Sequence, residues 1–169
     1  MTLVKLDRID VRILEALLGN ARITIQELAE KVALSPSACS SRVRKLETEG
    51  ILLRYTSDIN IEKVSLILEA FIEVTLENLS SRGMARFLQD VGDHPLMISC
   101  HRVTGHFDFL IHVVARDMPH LREISDHLLL GELGVSRINI IPILVAIKPF
   151  AGYPLKALLR DPDGEDSHA

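Results

Sequence analysis

From Ser35 to Leu46 the chain reads Ser-Pro-Ser-Ala-Cys-Ser-Ser-Arg-Val-Arg-Lys-Leu, three cations with no carboxylate among them. Small hydroxyl side chains let a helix backbone approach base edges closely, and cations further along it neutralise phosphates. Ser37, Ser40 and Ser41, with the small Ala38 and with Ser35 at the start, supply the first property; Arg42, Arg44 and Lys45 supply the second. That is nucleic-acid chemistry, set in a protein whose formal net charge of −4 argues against a general nucleic-acid coat. The charge is unevenly placed. Residues 1–60 carry nine Lys/Arg against eight Asp/Glu, whereas 61–169 carry ten against fifteen.

A second candidate is the turn Gly105-His106-Phe107-Asp108, between two apolar runs. Glycine permits close backbone approach, and a carboxylate beside it can accept from an ammonium group. The remaining reactive side chains form no recognisable set. Seven histidines include His94, His101, His106 and His112 in one stretch, yet no pair stands four residues apart on an expected helix. Cys39 and Cys100 are far apart in sequence and fit a reducing, cytoplasmic setting. No nucleophile–base motif, phosphate loop or dinucleotide fingerprint is present. Neither catalysis, a metal nor a cofactor is expected.

The elements that must position these groups are well punctuated. Asp7 caps a helix with the apolar stripe Ile9, Ile13, Leu14, Leu17 and Leu18, which stops near Gly19-Asn20. Thr24 and Glu27 form a capping box, stapled by Ile23 and Leu28, for a second helix. Ser35-Pro36 opens a third helix whose Cys39, Val43 and Leu46 point inward, and Gly50 ends it. The order is helix-turn-helix. Ile51–Thr56 reads as one strand of a small wing.

Beyond Ala70 the period changes. Ala70, Ile72, Val74 and Leu76 alternate with Phe71, Glu73, Thr75 and Glu77, so this run is a strand. A helix opening at Ser80 or Ser81 follows, then strands at 96–103 and 107–115. Next come a helix capped by Asp117 and a last strand at 138–147, which Pro142 demotes to an edge or a bulge. The expected fold is α+β: a winged helix-turn-helix at 1–60, a hinge at 61–68, and a ferredoxin-like βαββαβ domain at 69–152. The tail, 153–169, is expected to be partly disordered. Apolar residues on both faces of the first strand call for cover by a partner sheet, hence a homodimer. No apolar run is long enough to span a membrane, and the N-terminus lacks a signal peptide's unbroken apolar stretch.

Both halves resemble the Lrp/AsnC family of transcriptional regulators. In the first half the likeness rests on Leu6-Asp7 with Asp10 and Ile13-Leu14, on Leu34-Ser35-Pro36-Ser37, on Arg42-Val43 with Leu46-Glu47, and on Tyr55 at the family's wing tyrosine. In the second half it rests on Val103-Thr104-Gly105 with Asp108 and on Ile147-Lys148. The resemblance implies double-stranded DNA as partner and a small effector, usually an amino acid, held between subunits near Gly105–Asp108. It also implies dimers that assemble into tetramers or octamers. Arg54 stands where the family commonly has glycine, and adds a candidate phosphate contact. Ile138 and Ile140 stand where the family often holds ligand carboxylates with Ser or Thr, leaving Ser136 and Asn139 as the neutral polar neighbours. A metabolite-binding assembly protein whose N-terminal helices do not read DNA is the alternative. RNA binding is disfavoured, because Phe107-Asp108-Phe109-Leu110 lacks the aromatic, basic run such domains need.

Overall fold

Asp7, Thr24 and Ser35 each begin a helix, because each places a side-chain oxygen on backbone N–H groups that the first turn leaves unpaired. The computed structural model describes residues 4–77, 81–148 and 150–159. Helix α1 spans Arg8–Gly19, α2 Ile25–Val32 and α3 Pro36–Thr48. The cap of α1 is reciprocal: Asp7 accepts from the backbone of Ile9 and Asp10, and the Asp10 carboxylate accepts from the backbone N–H of Asp7. Between α2 and α3 the chain turns at Ala33, a left-handed residue at φ 58°. After α3, Gly50 at φ +67° lets the N–H groups of Ile51 and Leu52 return to the Leu46 carbonyl.

The three helices bury one apolar stripe each: Ile13, Leu14 and Leu17; Leu28, Ala29 and Val32; Cys39, Val43 and Leu46. Arg12 of α1 donates to the Lys31 carbonyl at 2.8 Å and so satisfies the C-terminal end of α2. No strand forms at 51–56. A lone extended run needs a neighbour for its backbone groups, and this segment has none among the described residues.

The chain divides into two units, Met1–Asp58 with Pro149–Ala169, and Ile59–Lys148. Residues 150–159 therefore group with the three helices. Leu155–Leu158 forms a one-turn helix, α6, whose Leu155 packs on the three-helix core and whose Lys156 pairs with Glu15 at 2.9 Å. The part of the expected tail from Arg160 onward, like Ser80, lies outside the described residues.

The second unit holds a four-stranded antiparallel sheet in the order β2-β3-β1-β4. The strands are β1 (Leu68–Leu76), β2 (Met97–Arg102), β3 (Phe109–Ala115) and β4 (Val135–Pro142). Helices α4 (Ser81–Asp93) and α5 (Met118–Leu130) complete the βαββαβ order. Strict alternation sends Ala70, Ile72, Val74 and Leu76 of β1, and Phe109, Ile111, Val113 and Ala115 of β3, into the core. There they meet Phe87 and Val91 of α4 and Leu121, Ile124 and Leu128 of α5. The Phe87 and Phe109 rings lie 4.8 Å apart.

Strand β4 is an edge strand, as Pro142 requires, but it stops at Pro142 instead of reaching residue 147. Among the described residues its sole neighbour is β1, and after the bond from Ile143 N–H to the Glu69 carbonyl little of that strand remains to pair with.

Candidate nucleic-acid interface and effector turn

Helix α3 offers solvent a face made of Ser37, Ser41, Arg44 and Lys45, all exposed, with Ser40 half-buried at its margin. That face is the direct complement of the buried stripe, set by the spacing of Cys39, Val43 and Leu46. Ser35, exposed at the N-cap, accepts from the backbone of Ala38 and shares a hydrogen bond with Ser37 at 3.2 Å. Lys45 stands 3.9 Å from Glu49, a loose pairing on an exposed surface.

Arg42 has a different task. Its guanidinium donates to Asp7 at 2.5 Å and to Asp10 at 2.7 Å, tying α3 to the capping box of α1. Asp10 is only 6% exposed, so this cation answers a buried carboxylate, a task that competes with the phosphate contacts expected of it. Burial alone would raise the Asp7 pKa. The Asp10 backbone N–H and the Arg42 guanidinium outweigh it, and hold the carboxyl below its ordinary value.

Arg54 is exposed on the segment after α3. The next residue, Tyr55, donates to Glu47 at 2.8 Å and so tethers that segment to the helix without a wing strand. Burial, then the Glu47 carboxylate, push the Tyr55 phenol up to about 12.

In the second unit, Asp108 is built into the sheet. Its backbone N–H donates to the Val74 carbonyl, its carbonyl accepts from Val103, and its Oδ2 accepts from the Leu76 N–H at 2.9 Å. One carboxylate oxygen therefore clamps the end of β1, and Oδ1 has no donor among the described residues. Gly105 sits at φ +138°, a conformation that disfavours any side chain, and Gly105 and His106 are exposed while Phe107 is half-buried.

On the other side of the same strand end, Ser136 donates to the Thr75 carbonyl at 3.0 Å. Arg137 donates to the His106 carbonyl at 3.2 Å. The turn, Ser136 and Arg137 thus converge on Thr75–Leu76, where the β1–β4 register shifts. Ile138 and Ile140 do not join them. They pair with Val74 and Ile72 and pack on the core. Asn139 instead bonds Glu73 at 2.8 Å.

Two residues that hold these groups in place, Asp10 and Arg137, were not assigned those tasks from the sequence. Asp10 carries a legible sign, its position three residues after a capping Asp. Arg137 shows none, because its approach to His106 depends on a register that links positions 31 apart.

Among the described residues no group of His, Cys, Asp and Glu could hold a metal ion, and no helix is long and apolar enough to cross a membrane.

Residues 6–52 match the model of a winged helix-turn-helix DNA-binding domain, and residues 69–152 that of the Lrp/AsnC ligand binding domain. The chain is 34% identical over 143 residues to the leucine-responsive regulatory protein of Escherichia coli, covering 85% of this chain and 87% of that one. It is 36% identical over 116 residues to the Bkd operon transcriptional regulator of Pseudomonas aeruginosa, covering 69% and 76%. Its structure is similar to that of a transcriptional regulator of Neisseria meningitidis in complex with L-methionine. The TM-score is 0.85 at 35% identity, over 92% of this chain and 100% of that one. The two halves match in order and at these identities: the chain belongs to the Lrp/AsnC family of transcriptional regulators, with a helix-turn-helix and a ligand-binding domain.

Proposed function

We propose that the protein is a cytoplasmic, sequence-specific regulator that reads double-stranded DNA with α3 and responds to an amino acid at the Gly105–Asp108 turn. The carrying observation is that the turn brings an anion and a cation to one strand end, Asp108 with a spare carboxylate oxygen and Arg137 at the His106 carbonyl. An amino-acid zwitterion needs both. The solved relative bound to L-methionine supports the same ligand class. On α3, Ser35, Ser37, Ser40 and Ser41 allow close approach to base edges. Arg44, Lys45 and Arg54 supply the cations, and Arg42 supports from behind.

Arg44 lies on the exposed face and forms no ion pair with another described residue, so Arg44→Ala tests the reading helix. Loss of a bidentate base contact weakens operator binding by about 1–3 kcal/mol and relaxes one operator position. Loss of a phosphate contact weakens all sequences alike and lowers the salt slope by about one. Fluorescence anisotropy at several salt concentrations separates the two. Unchanged binding would return α3 to the alternative reading, in which the N-terminal helices serve assembly only.

The sheet face opposite α4 and α5 carries Phe71, Leu110, Val114 and Ile141 among Glu69, Glu73 and His112. We infer that a second copy covers it in a two-fold dimer, which can assemble further. Phe71 stacks against His112 at 4.8 Å, and His112 pairs with Glu69 at 3.0 Å, so the polar groups of this face are already satisfied within one copy. Light scattering at micromolar concentration should give a dimer or a multiple of it; a monomer would refute this part of the reading.

A further inference from the structure

Helix α4 and strand β2 do not close fully on each other. Between them lies a cavity of about 380 Å³ walled by Met84, Leu88, Val91, Met97 and Phe109. Its volume falls in the range of small-ligand sites, toward the lower end. The ladder beside it is irregular, because the β2–β3 register shifts between Met97 and Ser99. A bulge of this kind re-aims the side chains that follow. The side chains that follow include Cys100 and Arg102, which also border the cavity.

The chemistry of the lining is one-sided. Arg102 is exposed, and no hydrogen bond or ion pair to another described residue engages its guanidinium. Among the described residues no carboxylate lines the cavity. Burial raises the Cys100 thiol pKa, so it stays neutral and adds no anion. The cavity therefore offers an apolar body one cation and the neutral Ser99 hydroxyl, with no carboxylate to pair with an ammonium group. This is the reverse of the turn around Asp108, where both charges occur.

We propose that the α4–β2 cavity binds a small monocarboxylate with an apolar body and no ammonium group, of which a branched-chain 2-oxo acid is the type. Its hydrocarbon end lies among the methionines and Phe109, and its carboxylate meets Arg102 at the mouth. Arg102 and Phe109 flank the effector turn in sequence, but the site lies between α4 and β2, does not include Gly105–Asp108, and takes a different ligand class. A regulator so equipped would register an amino acid and its deaminated counterpart independently.

The test uses full-length protein carrying ¹³C-methyl methionine, titrated with 4-methyl-2-oxopentanoate and followed by NMR. The Met84 and Met97 signals should move together along one binding curve, while Met118, at the start of α5, stays still. L-leucine should bind at these signals about tenfold more weakly or worse, because its ammonium finds no carboxylate. The neutral ketone 4-methyl-2-pentanone should also bind more weakly. Arg102→Gln, at an exposed position that does not threaten folding, should weaken the 2-oxo acid about tenfold or more. Leu88→Trp, filling the cavity from its exposed rim, should abolish the shifts. Asp108→Asn should leave them unchanged, so failure here is distinguishable from failure of the effector turn. Static Met84 and Met97 signals at about 10 mM acid would overturn the proposal. So would equal affinity in Arg102→Gln, or equal affinity for leucine.

Discussion

Arg42→Ala should destabilise the N-terminal unit by about 2 kcal/mol. A fully buried pair that loses one partner typically forfeits about 3–5 kcal/mol, because the remaining charge is stranded away from water. Here the Asp10 side chain is 9% exposed but that of Asp7 is 51% exposed, so solvent relieves part of the loss. For a unit of this size the shift in melting temperature is on the order of 10 °C, read by calorimetry as a separate transition. Arg42→Lys should recover part of it, keeping the charge without the planar fork. Operator affinity measured well below the melting transition should stay close to wild type. A DNA-contact role predicts the opposite pattern, with weakened binding and an unchanged melt.

The pH dependence follows from the direction of the Asp7 shift. Its folded pKa lies below the unfolded value of 3.8, so the stabilisation is present above that value and is lost as pH falls through the folded one. The stability gap between wild type and Arg42→Ala should therefore hold from neutral pH down to about 4 and narrow below it. A gap that stays constant under more acidic conditions would mean that the Asp7 pairing contributes nothing.

Local chemistry was legible from the residues alone. Thr24 with Glu27, Ser35 with Pro36, and Gly50 each act within four residues, and each does in the structure what its type and spacing require. The alternation in β1 and the inward stripe of α3 were readable for the same reason. What escaped depends on chain segments that meet across long separations. Arg42 lies on the flank of α3, and only the packing of α3 on α1 decides whether its cation faces solvent or the Asp7–Asp10 box, 32 to 35 residues away. In β4 the run Ile138, Ile140, Ile141 and Ile143 is apolar at both parities, so period alone could not say which isoleucines face the core. Pairing with β1 decides it, setting Ile140 opposite Ile72 and Ile141 opposite Phe71. The return of Leu155 to the three-helix core has no local signature, because one turn of helix carries no period.

Asp108 should divide cleanly between two variants. Asp108→Ala removes the acceptor that holds the Leu76 N–H, leaving a half-buried donor at the end of β1. The expected cost to the second unit is about 1–2 kcal/mol, together with loss of effector binding. Asp108→Asn keeps a side-chain oxygen for Leu76, so the unit should melt near wild type. It no longer offers a charge, and affinity for the ammonium of an amino acid should fall about tenfold or more. A thermal-shift screen of the twenty amino acids on wild-type protein identifies the effector first. An effector at about a hundred times its Kd contributes roughly 2.7 kcal/mol, which is readily seen. The same ligand on Asp108→Asn should give little or no shift at that concentration. DNA binding without ligand should be intact in this variant, since coupling requires that the two sites be distinct. Arg137→Gln supplies the complementary loss at the carboxylate end. If Asp108→Asn and Arg137→Gln both respond to the amino acid as wild type does, then Asp108 is a strand clamp and nothing more. The effector would then have to be sought away from this turn.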